Sequence, residues 1–354
     1  MPNILNDNIF IIRVDASESI GLGHLTRCLL IANFIKGKGC EVVFITAQLL
    51  SKNIIESKGF KCHKFGSTIP NLIDFYHSFS IIADINSEAI FNNNVDYINH
   101  LNFIGRDAKL LITLEDLADY PYCSDLVIIP YCGADKLKLN DDCKTIYLLG
   151  PNYFPLRKEF DNESFVVSKN AKKVLITMGG SDPKKITLKV LDSISNSEKQ
   201  YEILVVLGQA SSITDKDIDN VIGNYKGLFK VIREAKNISE LMLASDVTIT
   251  NSGLTKYELS ALGVPCIIIS NNPQQALYSE DFSNYGSSIH LGSSNVVNER
   301  CIMESCEDLM QNYELRLRMS KKGKVLIDSN GLQRIGKELL NHNDKDYYAE
   351  DRME

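Results

Sequence analysis

The chain holds no apolar run near the roughly 20 residues that a bilayer span requires. Its opening, MPNILNDN, has neither the basic start nor the apolar core of a signal peptide. A cytoplasmic protein without membrane insertion is expected. There is no basic excess: 38 Lys and Arg stand against 45 Asp and Glu, and the net charge of −7 is the wrong sign for a nucleic-acid surface. No CxxC pair occurs among the nine cysteines, and the six histidines are not paired at metal-ligand spacing. Reduced, partly buried thiols and no metal are therefore expected. Tandem repeats and low-complexity blocks are also missing.

What is present is ordinary globular material. A 354-residue chain with 44% hydrophobic and 23% charged residues is long enough for two domains. The first half alternates short apolar runs with helical patterns. IFIIRVDA (9–16), EVVFIT (41–46), SIIADI (80–85), KLLITL (109–114) and DLVIIP (125–130) read as strands buried on both faces of a parallel sheet. HLTRCLLIANFIKGKG (24–39) reads as the first helix. The periodicity breaks at LLGPNYFPLRKEF (148–160), and a second cycle begins with KKVLITMGGSDPKKITLKVLDSI (172–194), again strand, glycine turn, helix. YEILVVLG (201–208), LFKVIR (228–233), DVTIT (246–250) and PCIIIS (265–270) continue it. The pattern predicts an α/β protein of two doubly wound, Rossmann-like domains facing each other across a cleft, residues 1–155 and 156–340, with a polar tail at 341–354.

Three stretches carry chemistry. Gly21-Leu-Gly23-His24 ends the first strand, where doubly wound sheets bind ligands. The glycines allow a close backbone approach to a sugar or phosphate. The local dipole at a helix start disfavours an imidazolium, which suits His24 to a general base, and Asp15 at the strand end is placed to orient it. The spacing is not GxGxxG, which weighs against a nicotinamide cofactor, and a plain tight turn is the bland alternative. Gly179-Gly180-Ser181-Asp182-Pro183 is the matching loop of the second half. It offers amides and a hydroxyl to an anion, or else it is only a turn capped by Ser181 or Asp182. In TNSGLTKYELSALGVPCI (250–267), Asn251, Ser252, Gly253 and Thr255 precede or open a helix that would seat a diphosphate, and Glu258 one turn in would accept from ribose hydroxyls. The alternative is a capping box, Thr255-x-x-Glu258, which needs no ligand. Gln274 and Gln275 follow the next strand and would read sugar hydroxyls. Asp215, Asp217 and Asp219 lie in a polar stretch and read as solvated surface.

Together RVDASESIGLGHLTRCLLIA (13–32), LLGPNYFPLRKEF (148–160), LITMGGSDPKKIT (175–187), NSGLTKYELSALGVP (251–265) and DSNGLQRIGKEL (328–339) resemble the GT-B sugar-nucleotide enzymes. Among these they are most similar to the UDP-2,4-diacetamido-2,4,6-trideoxy-β-L-altropyranose hydrolases of pseudaminic acid biosynthesis. The GLGHxxR of residues 21–27 is the most specific piece; the 251–265 segment is shared with lipid-linked N-acetylglucosaminyltransferases. The resemblance implies that His24 activates water, that water attacks the anomeric carbon with inversion, and that UDP leaves without a metal or other cofactor. It also implies that Arg27, with the glycines and the polar residues named above, contacts the UDP-sugar. A monomer acting on this small molecule is expected. Departures at Asp84-Ile85-Asn86, Glu115-Asp116 and Pro130-Tyr131 concern the sugar, not the nucleotide. A GT-B glycosyltransferase with a sugar or lipid acceptor is the competing expectation.

Overall fold

The computed structural model describes residues 8–17, 22–66, 78–85, 90–91, 93–114, 123–139, 144–161, 165–223 and 225–343. Two compact units divide the chain. The first comprises Met1–Pro130, Ala134–Pro155 and Asn330–Glu354; the second comprises Tyr131–Gly133 and Leu156–Ser329.

In the first unit the chain runs β1 (Ile9–Val14), α1 (Gly23–Lys36), β2 (Glu41–Thr46), α2 (Leu49–Ser57), β3 (Lys61–Lys64), β4 (Ser80–Asp84), α3 (Asn94–Gly105), β5 (Leu110–Leu114), β6 (Leu126–Ile129) and β7 (Ile146–Leu149). All seven strands pair in parallel in the order β3-β2-β1-β4-β5-β6-β7. The two-residue period of a strand sorts β1 between two cores. Phe10, Ile12 and Val14 pack on the α1 side with Leu25, Cys28 and Ile31. Ile9 and Ile11 pack on the other side with Tyr97, Leu101 and Ile104 of α3.

The second unit runs β8 (Lys173–Thr177), α4 (Ile186–Ser195), β9 (Glu202–Leu207), α5 (Asp215–Ile222), β10 (Phe229–Arg233), α6 (Ile238–Leu243), β11 (Val247–Asn251), α7 (Thr255–Leu262), β12 (Cys266–Ser270), α8 (Pro273–Asn284), β13 (Ser288–Ser293), α9 (Glu299–Gln311) and α10 (Tyr313–Leu326). Its parallel sheet has the order β10-β9-β8-β11-β12-β13. In each sheet the first strand of the unit lies inside, and the strand order reverses beside it. The switch points fall between β1 and β4 and between β8 and β11.

The last helix, α11 (Gly331–Asn343), corrects the expected domain of 156–340. It belongs to the first unit. Ile335 and Leu339 are buried in the α1-side core, with Leu332 and Leu340 packed against it. A side chain at Gly336 would overlap the Phe34 ring of α1. Asn343 closes the helix end: it accepts from Ser80 Oγ at 2.7 Å and donates to Asn8 Oδ1 at 2.9 Å. Residues 341–343 of the expected polar tail are thus helical, and the remainder lies outside the described residues.

Candidate functional site

In the first unit the chemistry gathers at the β1/β4 switch point. α1 has no side-chain cap at its N-terminus, and Gly23 and His24 are its first two residues. His24, Arg27 and Cys28 stand at i, i+3 and i+4, one face of the helix. That face meets Asp84, the last residue of β4. Asp84 pairs in register with Val14 and, two residues after Ile82, points to the α1 side. The carboxylate is fully buried and takes four contacts. His24 Nδ1 lies 2.6 Å from Oδ1, Arg27 Nε 2.5 Å from Oδ2, Arg27 Nη2 2.5 Å from Oδ1, and Cys28 Sγ 3.3 Å from Oδ2. Burial alone would push the Asp84 carboxyl up, but the Arg27 guanidinium and His24 outweigh it and hold it down at about 2.

These distances assign the hydrogens. Asp84 is a carboxylate and can only accept. An unprotonated Nδ1 at 2.6 Å would set lone pair against lone pair, so Nδ1 of His24 donates and Nε2 is the ring's basic nitrogen. The arrangement is a carboxylate-oriented histidine able to take a proton from a bound hydroxyl or water.

Two expectations are corrected here. Asp15 does not orient His24. It follows Arg13 by two residues and shares its face of the sheet, away from α1. Its carboxylate takes Arg13 Nη2 at 2.6 Å, Thr46 Oγ1 at 2.8 Å and the Ala47 amide at 2.8 Å. Burial raises the Asp15 carboxyl and Arg13 and these donors more than offset it, for a net lowering. Arg27 is not a surface contact for substrate: it is 2% exposed and its guanidinium is engaged by Asp84. Gly21 lies outside the described residues.

In the second unit the loops of the corresponding switch point are joined by an amide side chain. Asn251, ending β11, donates from Nδ2 to Met178 O at 2.6 Å and accepts the Gly253 amide on Oδ1 at 3.0 Å, tying the loops after β8 and β11 together. Gly179 takes φ +75°, and an added Cβ would sit 3.4 Å from Asn251 Nδ2. Gly180 O accepts the Ala210 amide at 2.9 Å. Ser181 is half-buried in the same turn. Asp182 accepts the Ile186 and Thr187 amides at 2.8 and 2.9 Å, so it caps α4 from outside the helix.

α7 follows, with Thr255 as its first residue and no side-chain cap. The expected capping box is not formed: the Glu258 carboxylate instead takes Arg157 Nη2 at 2.9 Å and Nε at 3.2 Å. Burial pushes the Glu258 carboxyl up, and Arg157 opposes it. Ser252 Oγ donates to Gln275 Oε1 at 2.7 Å, and the Gln275 amide donates to Asn272, the cap of α8. The side chain of Gln274 lies outside the described residues. Asp215 and Asp217 open α5; Asp217 with Thr214 forms a capping box, which accounts for that acidic stretch.

Sequence reading missed Asp84 and Arg157. Asp84 carried a signal, a carboxylate ending a buried strand. Arg157 sits in the quoted 148–160 segment without a marker of its role. Among the described residues no group of three His, Cys, Asp or Glu could hold a metal ion, and no helix is long and apolar enough to cross a membrane.

Two parallel-sheet units of this order define the GT-B fold, and solved structures agree. MurG from Acinetobacter baumannii superimposes with a TM-score of 0.67 over 94% of this chain and 99% of that one, at 11% identity. Residues 174–335 match the glycosyltransferase family 28 C-terminal domain. An uncharacterized protein of Methanocaldococcus jannaschii is 29% identical over 296 residues, covering 78% of this chain, which spans 58% of that protein's length. The spore coat polysaccharide biosynthesis protein SpsG of Bacillus subtilis is 25% identical over 332 residues, 91% of this chain and 94% of that one. The Helicobacter pylori pseudaminic acid cytidylyltransferase and UDP-2,4-diacetamido-2,4,6-trideoxy-β-L-altropyranose hydrolase is 26% identical over 276 residues, 77% of this chain and 46% of that one.

Proposed function

We propose that this chain is an enzyme that hydrolyses a UDP-linked sugar at its anomeric carbon, releasing UDP and the free sugar. The observation that carries the reading is the His24–Asp84 contact of 2.6 Å, a base oriented by a buried carboxylate at the switch point of the first sheet. In this mechanism Nε2 of His24 takes a proton from water as the oxygen attacks the anomeric carbon. The bond from that carbon to the diphosphate oxygen breaks, its electron pair leaves with UDP, and the configuration inverts. The uncapped N-terminus of α7 and the amides of Gly180 and Ser181 are assigned the diphosphate; Ser252, Gly253 and Thr255 supply donors beside it. Glu258 is assigned the ribose hydroxyls, which compete with Arg157 for its oxygens. Gln275 is assigned the sugar.

The substrate proposed is UDP-2,4-diacetamido-2,4,6-trideoxy-β-L-altropyranose, which would place the product in nonulosonic acid synthesis. The similarity to the Helicobacter pylori protein supports it. A second reading, transfer of the sugar to an acceptor, is favoured by the match of residues 174–335 to a glycosyltransferase family. The test is UDP release from the L-altro compound, its gluco-configured relatives and UDP-N-acetylglucosamine, with EDTA and without any acceptor. Release confined to the L-altro compound, abolished in His24→Ala, is the expected result. Bound UDP with no release from any of them would reject hydrolysis in favour of transfer.

A further inference from the structure

The Glu258 carboxylate is met at one oxygen only. Arg157, in the same unit, brings Nη2 at 2.9 Å and Nε at 3.2 Å to Oε1. An arginine facing a carboxylate commonly sets one donor on each oxygen. Here the guanidinium is turned so that its other arm serves a second partner: Nη1 lies 2.9 Å from Oε1 of Glu159. Cζ of Arg157 also stands 4.6 Å from the centre of the Phe160 ring, which is fully buried. Arg157 is thus held by three neighbours although its side chain is 35% exposed. An exposed ion pair would ordinarily be mobile and contribute little.

A carboxylate oxygen has two lone-pair sites, and Arg157 fills both on Oε1. Oε2 accepts no hydrogen bond from the described residues, and it is not sealed from solvent. The rest of Glu258 is buried. A buried carboxylate with one oxygen filled and the other open presents an acceptor in one fixed direction. We propose that Arg157 is a positioning residue for the nucleotide: by filling Oε1 it fixes the Glu258 carboxylate and reserves Oε2 for a ribose hydroxyl, and it stays in place when UDP binds. Competition between the ribose and Arg157 is then limited to Oε1. The ligand class selected is a ribonucleoside diphosphate. This role rests on Glu258 receiving the ribose, as assigned above, and is independent of whether the sugar is hydrolysed or transferred.

The test is calorimetric titration of the full-length chain with UDP and with 2′,3′-dideoxy-UDP, which lacks both hydroxyls. The wild type is expected to prefer UDP by about tenfold or more, the worth of a hydrogen bond to a charged group. Arg157→Gln leaves Glu258 without its orienting donors, and the preference is expected to fall to about twofold or less. Arg157→Lys keeps one donor and should hold an intermediate preference. If Arg157 only braces the fold, both variants weaken the two nucleotides by the same factor; that result, or a wild type with no preference, overturns the proposal. A second measurement needs no variant. The Arg157 Nε–H signal in ¹⁵N spectra, assigned by correlation to its own backbone amide, should be protected from solvent exchange before and after saturation with UDP. Exchange as fast as that of an unbound arginine, in either state, overturns the proposal even where the variants do not fold. A wild type that binds no UDP overturns it together with the nucleotide assignment, whereas UDP that binds but is released from no UDP-sugar rejects only hydrolysis.

Discussion

Gly208 offers a direct test of how the second switch point is held. It follows β9, and its α-carbon faces the backbone of the Gly179–Gly180 loop. A methyl group there would lie 2.6 Å from Gly180 Cα and closer still to the carbonyl oxygens of Gly179 and Gly180. Carbon atoms prefer separations of about 3.5 Å or more, so the overlap is roughly 0.9 Å. No side chain can rotate away, since every atom in the way is backbone. Gly208→Ala must therefore push the two loops apart.

Overpacking of this kind costs about 1–3 kcal/mol. In a unit of this size each kcal/mol lowers Tm by about 2–4 °C, so a fall of about 2–12 °C is expected. Displacing Gly180 and Ser181 should also weaken UDP by about tenfold, roughly 1.4 kcal/mol. Thermal denaturation followed by circular dichroism and calorimetric titration with UDP measure the two effects. Gly223→Ala is the control. Gly223 has φ +48° with nothing nearer to an added Cβ than 4.0 Å, so that variant should lose stability and bind UDP normally. If Gly208→Ala kept the wild-type Tm and UDP affinity, steric support of the glycine loop by Gly208 would be refuted.

Asp84→Asn should cut UDP release by about 10²–10⁴-fold while UDP still binds, because the ring loses the acceptor that fixes its tautomer; steady-state rates beside a UDP titration separate the two. Glu258→Gln should weaken UDP by about 1.5–3 kcal/mol, and the preference for UDP over its 2′-deoxy analogue should collapse with it; equal losses for both nucleotides would remove Glu258 from the ribose. His100, whose ring packs against Phe65 and Phe91, is held down to about 4 by burial and by Arg13. The unfolded chain takes that proton below about pH 6.5 and the folded one only below about 4, so stability should fall as pH drops through this window, by up to about 3 kcal/mol. Urea titrations of His100→Phe should show the slope flattened, and an unchanged slope would assign it to other groups.

The strands that could be read from sequence were those whose apolar runs are continuous because both faces are covered: Ile9–Val14, Leu110–Leu114 and Cys266–Ser270 are buried throughout. β3 was missed because Lys61-Cys-His-Lys64 is an edge strand with both lysines exposed, and β13 because Gly292 and its serines interrupt the pattern. α11 is amphipathic enough to be read as a helix, but nothing in a linear pattern says that a C-terminal helix packs on Phe34. His24 was singled out through its glycines. Its partner was assigned wrongly because nearness along the chain was preferred to the strand period. Val14 faces α1, so Asp15 cannot, and the residue paired with Val14 on the neighbouring strand is Asp84. Glu258 was read as a carboxylate one turn into its helix, but its contact with Arg157 joins residues about a hundred positions apart and left no local trace.

The two switch points share a strand order and differ in chemistry, and the difference follows from what each is proposed to hold. A proton acceptor needs a titratable ring fixed in one tautomer. Here a buried carboxylate fixes it, and a buried charge must be paired. The first unit meets both needs with Asp84 and Arg27. A diphosphate needs the opposite: donors that carry no negative charge, at a helix start whose dipole favours an anion. The second unit uses an amide side chain, Asn251, to join its loops, and an aspartate there would repel the ligand and could not donate to Met178 O. Glu258, a carboxylate of that helix, lies a turn further in and is paired with Arg157. Each sheet thus brings its loops together at the same topological point, and the side chain that closes it, charged in one unit and neutral in the other, matches the half of the proposed reaction assigned to that unit.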